Sequence, residues 1–129
     1  MKSVLLADDD IDDREMFEEI LADNQEVSLA GSVENGQELL SLLFNLDPRS
    51  LPDLIVLDHN MPKLNGIQTL QALKKNEKYR HIPVVLFSTY CDNKLVTEGT
   101  GLGAAMVFTK PSSFGEYENM ITAFLDIIS

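Results

Sequence analysis

The chain has 129 residues, 44% of them hydrophobic, and carries 21 acidic against 10 basic side chains for a formal net charge of −11. That length suits one domain with a buried core, that composition excludes a disordered or fibrous chain, and the negative excess argues against binding nucleic acid or an anionic membrane surface, because phosphate groups call for basic patches. The one cysteine, Cys91, excludes an internal disulfide, and no apolar run approaches the ~20 residues of a membrane span.

Met1-Lys2-Ser3 leads straight into the apolar run Val4-Leu5-Leu6-Ala7, with no signal-peptide pattern, so the expected setting is cytoplasmic. That run has the length of a buried strand and stops at a crowd of aspartates: Asp8, Asp9, Asp10, Asp12 and Asp13. Met16, Phe17, Ile20 and Leu21 then recur at helical spacing up to Asp23-Asn24, and Val27 to Ala30 reads as a second strand. Asn35 and Glu38 form a capping-box pair ahead of a helix with Leu39, Leu42, Leu43 and Leu46 on one face. After a proline-bearing loop, Leu54 to Leu57 makes a third strand ending at Asp58, and Met61-Pro62 and Asn65-Gly66 turn the chain into a third helix with Ile67, Leu70 and Leu73 inward.

Ile82 to Phe87 is a fourth strand. A fourth helix from Asp92 to Leu102 is weakly specified, because Gly99 and Gly101 each cost about 1 kcal/mol relative to alanine. Met106 to Phe108 is a fifth strand, and Ser113 with Glu116 caps a last helix carrying Tyr117, Met120, Ile121, Phe124, Leu125 and Ile128. Strands alternating with helices predict an α/β fold: a five-stranded parallel sheet in the common order 2-1-3-4-5 with helices on both faces, over residues 1–129 as one domain with no output domain.

In such sheets ligands bind beyond the carboxyl ends of the strands. The residues arriving there are Asp8 and Asp9 after the first strand, Asp58 after the third, Ser88 and Thr89 after the fourth, and Lys110 after the fifth. Clustered carboxylates repel by about 4 kcal/mol per pair at ~4 Å and an effective dielectric of about 20, so they call for protons or a cation. Oxygen ligands without histidine or thiolate favour magnesium or calcium. Lys110 adds a positive charge and Ser88 a hydroxyl for a phosphoryl oxygen, which leaves Asp58 as a nucleophile able to form an acyl phosphate. Asp10, Asp12 and Asp13 are read as capping or solvated charge, His59 as partly exposed, His81 as inert and Cys91 as without a redox role.

The stretches "VLLADDDIDD" (4–13), "PDLIVLDHNMPKLNG" (52–66), "IPVVLFST" (82–89) and "VFTKP" (107–111) together resemble the response regulator receiver domain, of the stand-alone, CheY-like (βα)5, flavodoxin-like type. The resemblance implies that Asp58 accepts the phosphoryl group. Asp8, Asp9, Asp58 and the backbone carbonyl of Asn60 would hold Mg2+, with Asp9 the more direct ligand. Ser88 would be the switch hydroxyl and Lys110 the lysine on the phosphoryl oxygens. It also implies a cis bond between Lys110 and Pro111. The family's inward-swinging aromatic is replaced here by Val107, while Phe108 is expected on the opposite, core face.

The expected function is therefore that of a two-component response regulator receiving a phosphoryl group from a sensor histidine kinase, of phytochrome type as the resemblance of the opening "DDDIDDRE" to small stand-alone regulators implies, or from a phosphotransfer protein. It would signal to a separate downstream protein or through a homodimer, and its phosphorylation and dephosphorylation would be self-catalysed, not those of an enzyme. The alternatives are a pseudo-receiver that is never phosphorylated and an aspartate-nucleophile phosphatase of the haloacid dehalogenase type. For the phosphatase, Asp8-x-Asp10 fits, but Asp12 stands where Thr or Val is wanted.

Overall fold

The computed structural model describes residues 1–128. The chain alternates β1 (Lys2–Ala7), α1 (Ile11–Ala22), β2 (Val27–Val33), α2 (Gly36–Asn45), a short 3-10 turn (Pro48–Ser50), β3 (Leu54–Asp58), α3 (Gly66–Lys75), β4 (Val84–Ser88), α4 (Asn93–Gly101), β5 (Met106–Thr109) and α5 (Phe114–Ile128). The strands form one parallel sheet in the order β2-β1-β3-β4-β5.

Although the central strands are apolar throughout, their side chains still alternate between two cores. Leu5, Ala7, Ile55, Leu57, Val84 and Leu86 face α2, α3 and α4 through Leu39, Leu43, Ile67, Leu70, Leu73 and Leu95. Val4, Leu6, Leu54, Val56, Val85 and Phe87 face α1 and α5 through Phe17, Leu21, Tyr117, Met120, Ile121 and Phe124. A sheet covered on both sides is what a parallel arrangement requires. Phe108 joins the second core, stacking near Phe87 and Phe124, as strand alternation predicts.

The two cap pairs read from the sequence form with a shift in their return bonds. Asn35 accepts from the Glu38 amide at 2.9 Å, but Glu38 reaches back to the Glu34 amide instead of that of Asn35. Ser113 likewise accepts from the Glu116 amide, while Glu116 accepts from Ser112. A full capping box closes at Asn65 and Gln68, where α3 leaves the carboxyl end of the sheet. The fourth helix is better defined than its glycines suggest: Asp92 caps it on the Leu95 amide at 2.9 Å. A Cβ on Gly99 would fall 2.8 Å from Val107 and 2.9 Å from Leu86, so this glycine lets α4 lie close on β4 and β5.

Candidate functional site

The ends of β1, β3 and β5 place three side chains in one cleft because these strands share a carboxyl edge. Parallel register pairs Ala7 with Leu57, so Asp8 and Asp58 emerge side by side. Asp8 has no exposed surface and Asp58 only 1%. Carboxylate oxygens of Asp8, Asp9 and Asp58 all lie within 4.8 Å of one another, although Asp9 is exposed.

Local hydrogen bonds hold the acids in place. The Asp10 amide donates to Asp8 Oδ1 at 2.9 Å, and the Asn60 amide to Asp58 Oδ1 at 3.1 Å. The turn after Asp58 stays tight because the Gly66 amide donates to the His59 carbonyl, and a Cβ at Gly66 would collide with the His59 backbone at 2.8 Å. Asp10 accepts from the Asp12 and Asp13 amides and caps α1, as the sequence suggested.

Lys110 reaches in from the end of β5. Its Nζ lies 3.1 Å from Asp58 Oδ2, 3.2 Å from Asp8 Oδ2 and 2.6 Å from Asp13 Oδ2, and it sits over the Phe87 ring at 5.2 Å from the centroid. Burial alone would lower the pKa of this lysine; the contacts with Asp13, Asp8 and Asp58 raise it above its ordinary value. Burial pushes Asp8 up to about 7, and it pushes Asp58 upward against the pull of Lys110 and the Asn60 amide. Both acids are thus costly to keep ionised without more positive charge.

Two sequence expectations need correction here. Asp13 is not merely solvated charge: it makes the shortest contact Lys110 has. The sequence did carry the signal, since Asp13, Phe17 and Leu21 follow one another at helical spacing, and Phe17 and Leu21 are buried. The acidic residue therefore continues the inward stripe of α1 up to the strand ends. Second, the Lys110–Pro111 bond is trans. Trans remains the favoured isomer even before proline, by about 0.5–1 kcal/mol, and Lys110 reaches the acids from it.

Ser88 is 2% exposed; its Oγ accepts from Asn60 Nδ2 at 3.1 Å and from the Tyr90 amide at 3.3 Å, whereas Thr89 is exposed. Asn60 thus touches both Asp58 and Ser88, a bridging role that nothing in the sequence pattern indicated. Val107 is half-buried against the α2–α4 core. His59 is half-buried with an unpartnered Nδ1, and His81 is exposed.

Asp8 Oδ2 is buried and accepts no hydrogen bond, despite the nearby ammonium. An unpartnered anionic oxygen among converging carboxylates suits a hard divalent cation. The arrangement can offset negative charge around Asp58, with the Lys110 ammonium on one of its oxygens and Asn60 linking it to the Ser88 hydroxyl.

A family model described as the response regulator receiver domain matches residues 4–122. Among curated proteins, a protein-glutamate methylesterase/protein-glutamine glutaminase of Trichodesmium erythraeum (strain IMS101) is 30% identical over 120 residues, covering 92% of this chain and 32% of its own length. The chain spans between 30% and 50% of the length of the first curated relatives it matches. The phosphorylated cyanobacterial phytochrome response regulator RcpA superposes with a TM-score of 0.84 at 25% identity, over 98% of this chain and 93% of that one. The manganese-bound form of the response regulator Rcp1 gives 0.80 at 26% identity, over 95% and 91%.

Proposed function

This chain belongs to the response regulator receiver family, and from that premise we propose that Asp58 is its phosphoacceptor. One observation carries the assignment: Asp58 is the buried strand-end carboxylate whose oxygens meet both the Lys110 ammonium and the Asn60 amide. An Asp58 carboxylate oxygen attacks the phosphorus of a phosphohistidine in line. The new P–O bond forms as the P–N bond breaks, and the electron pair returns to the imidazole nitrogen, which takes a proton.

Lys110 offsets charge on the transferring oxygens, and the Ser88 hydroxyl, already turned towards Asn60, is the donor that follows the phosphoryl group. Mg2+ held by Asp8, Asp9, Asp58 and the Asn60 carbonyl would supply the remaining charge neutralisation, as the converging carboxylates favour. Water attack on the acyl phosphate reverses the modification, so the chain acts as a self-catalysing signalling acceptor.

The family takes phosphoryl groups from histidine kinases. For this chain we assign a sensor kinase of phytochrome type, a reading supported by the likeness to RcpA, or a phosphotransfer protein as donor. Residues 1–129 act as one receiver unit, and its partners downstream are a target protein or a second copy. The working compartment is cytoplasmic; among the described residues no helix is long and apolar enough to cross a membrane. Val107, lying beside the close-packed Gly99, has no ring to swing inward with Ser88.

The test is intact-protein mass after incubation with acetyl phosphate, with and without magnesium. Wild type should gain one phosphoryl group only with magnesium, and Asp58→Asn none. No gain in a wild type shown separately to bind magnesium would replace this reading with a pseudo-receiver.

A further inference from the structure

The acidic opening contains three carboxylates that the phosphoryl chemistry does not use, Asp10, Asp12 and Asp13, and of these Asp13 reaches Lys110. Asp13 is the third residue of α1, where negative charge is favourable towards the helix dipole without any partner. Yet it is drawn to Lys110 at 2.6 Å, closer than Asp58 at 3.1 Å or Asp8 at 3.2 Å. The Lys110 side chain is 13% exposed and that of Asp13 26%, so water screens the pair only in part.

An ammonium has three donors, and here each faces a carboxylate. A phosphoryl oxygen arriving at Asp58 must therefore take Lys110 from one of them. The oxygens of Asp8 and Asp58 belong to the convergent set that a divalent cation would neutralise; Asp13 lies outside that set. With a cation bound to that set, Asp13 is the carboxylate on the ammonium whose charge the cation does not offset directly. It also adds a negative charge that an anionic phosphodonor must approach.

We propose that Asp13 is a positioning residue: it holds Lys110 in a resting ion pair that competes with the phosphoryl group, and so restrains phosphoryl uptake at Asp58. The proposal rests on the receiver reading of this site. It gives the chain a built-in brake, set by a residue that touches neither the cation pocket nor the reacting phosphorus.

The experiment measures the rate of phosphoryl uptake from acetyl phosphate in magnesium for wild type, Asp13→Asn, Asp13→Ser and Asp13→Glu, at low and high salt. Asn is close to isosteric with Asp and Ser is smaller, so the two uncharged variants test the charge with different side-chain volumes. Removing the charge should speed uptake roughly fivefold, the scale of a partly exposed ion pair. Asp13→Glu, which restores the carboxylate, should return the rate to within about twofold of wild type, and the gain should shrink at high salt. A structural role for Asp13 would not produce rescue by charge together with salt sensitivity. Equal or slower uptake in Asp13→Asn and Asp13→Ser, with wild type phosphorylated, overturns this inference and leaves the receiver reading standing. No phosphoryl group on wild type or any variant removes that reading, and the inference with it.

Discussion

At Asp8 burial pushes a carboxyl from the ordinary 3.8 up to about 7; the Asp10 amide and Lys110 oppose the rise, and Asp58 and Asp13 add to it. Between those two values the folded protein holds a proton that the unfolded chain has released. The native state binds more protons, so this group's contribution to stability falls as pH rises through about 4 to 7. Asp58, shifted the same way by its burial, acts in the same sense. Without divalent cation, the unfolding free energy should drop on going from about pH 5 to about pH 8, by on the order of 2–4 kcal/mol. Asp8→Asn should flatten that dependence and stabilise the metal-free protein at the higher pH. Urea titrations at several pH values check both, and a stability that rises over this range would contradict the charge arrangement.

At the scale of elements, glycines decide how closely helices approach strands. Gly66 opens α3 under Asp58, and an added Cβ would meet Leu86 at 2.6 Å and the His59 backbone at 2.8 Å. Gly66→Ala should therefore cost about 1–3 kcal/mol by overpacking and displace the turn that carries Asn60. Gly115 has nothing within 4 Å of its added Cβ and lies within α5. Gly115→Ala should be neutral or stabilising by up to about 1 kcal/mol, as helix propensity alone dictates. Equal effects at the two positions in urea unfolding would refute the packing account. The same contrast explains α4: on propensity it looks weak, yet Gly99 supports it by close contact with Val107 and Leu86.

For the whole molecule, the carboxylates of Asp8, Asp9 and Asp58 converge where the strands end, and a divalent ion should act as a folding ligand. Magnesium at about 100 times its dissociation constant should raise stability by about 2.7 kcal/mol, beyond any effect of monovalent salt at equal ionic strength. Because Asp9 is exposed, Asp9→Asn should leave metal-free stability nearly unchanged while abolishing most of that gain. Thermal unfolding with and without magnesium separates the two effects. A gain that survives in Asp9→Asn would move the ion's ligands elsewhere in the acidic pocket.

The amino-acid order by itself determined the sheet, its strand order and the arrival of Asp8, Asp9, Asp58, Ser88 and Lys110 at one edge, because apolar runs, caps and turn residues are local signals and parallel topology then leaves few arrangements. Element ends shifted by a few residues, as at β2, which runs on to Val33, because pairing with β1 extends a strand that propensity alone ends sooner. Only the tertiary structure decided that Asp13 holds Lys110 and that Asn60 links Asp58 to Ser88. Helical spacing turned Asp13 inward, but its meeting with Lys110, like that of Asn60 with Ser88, joins residues far apart in the chain through side-chain reach. The trans bond before Pro111 was settled there too, as was the packing of α4, which depends on the room Gly99 leaves for the side chains of Val107 and Leu86.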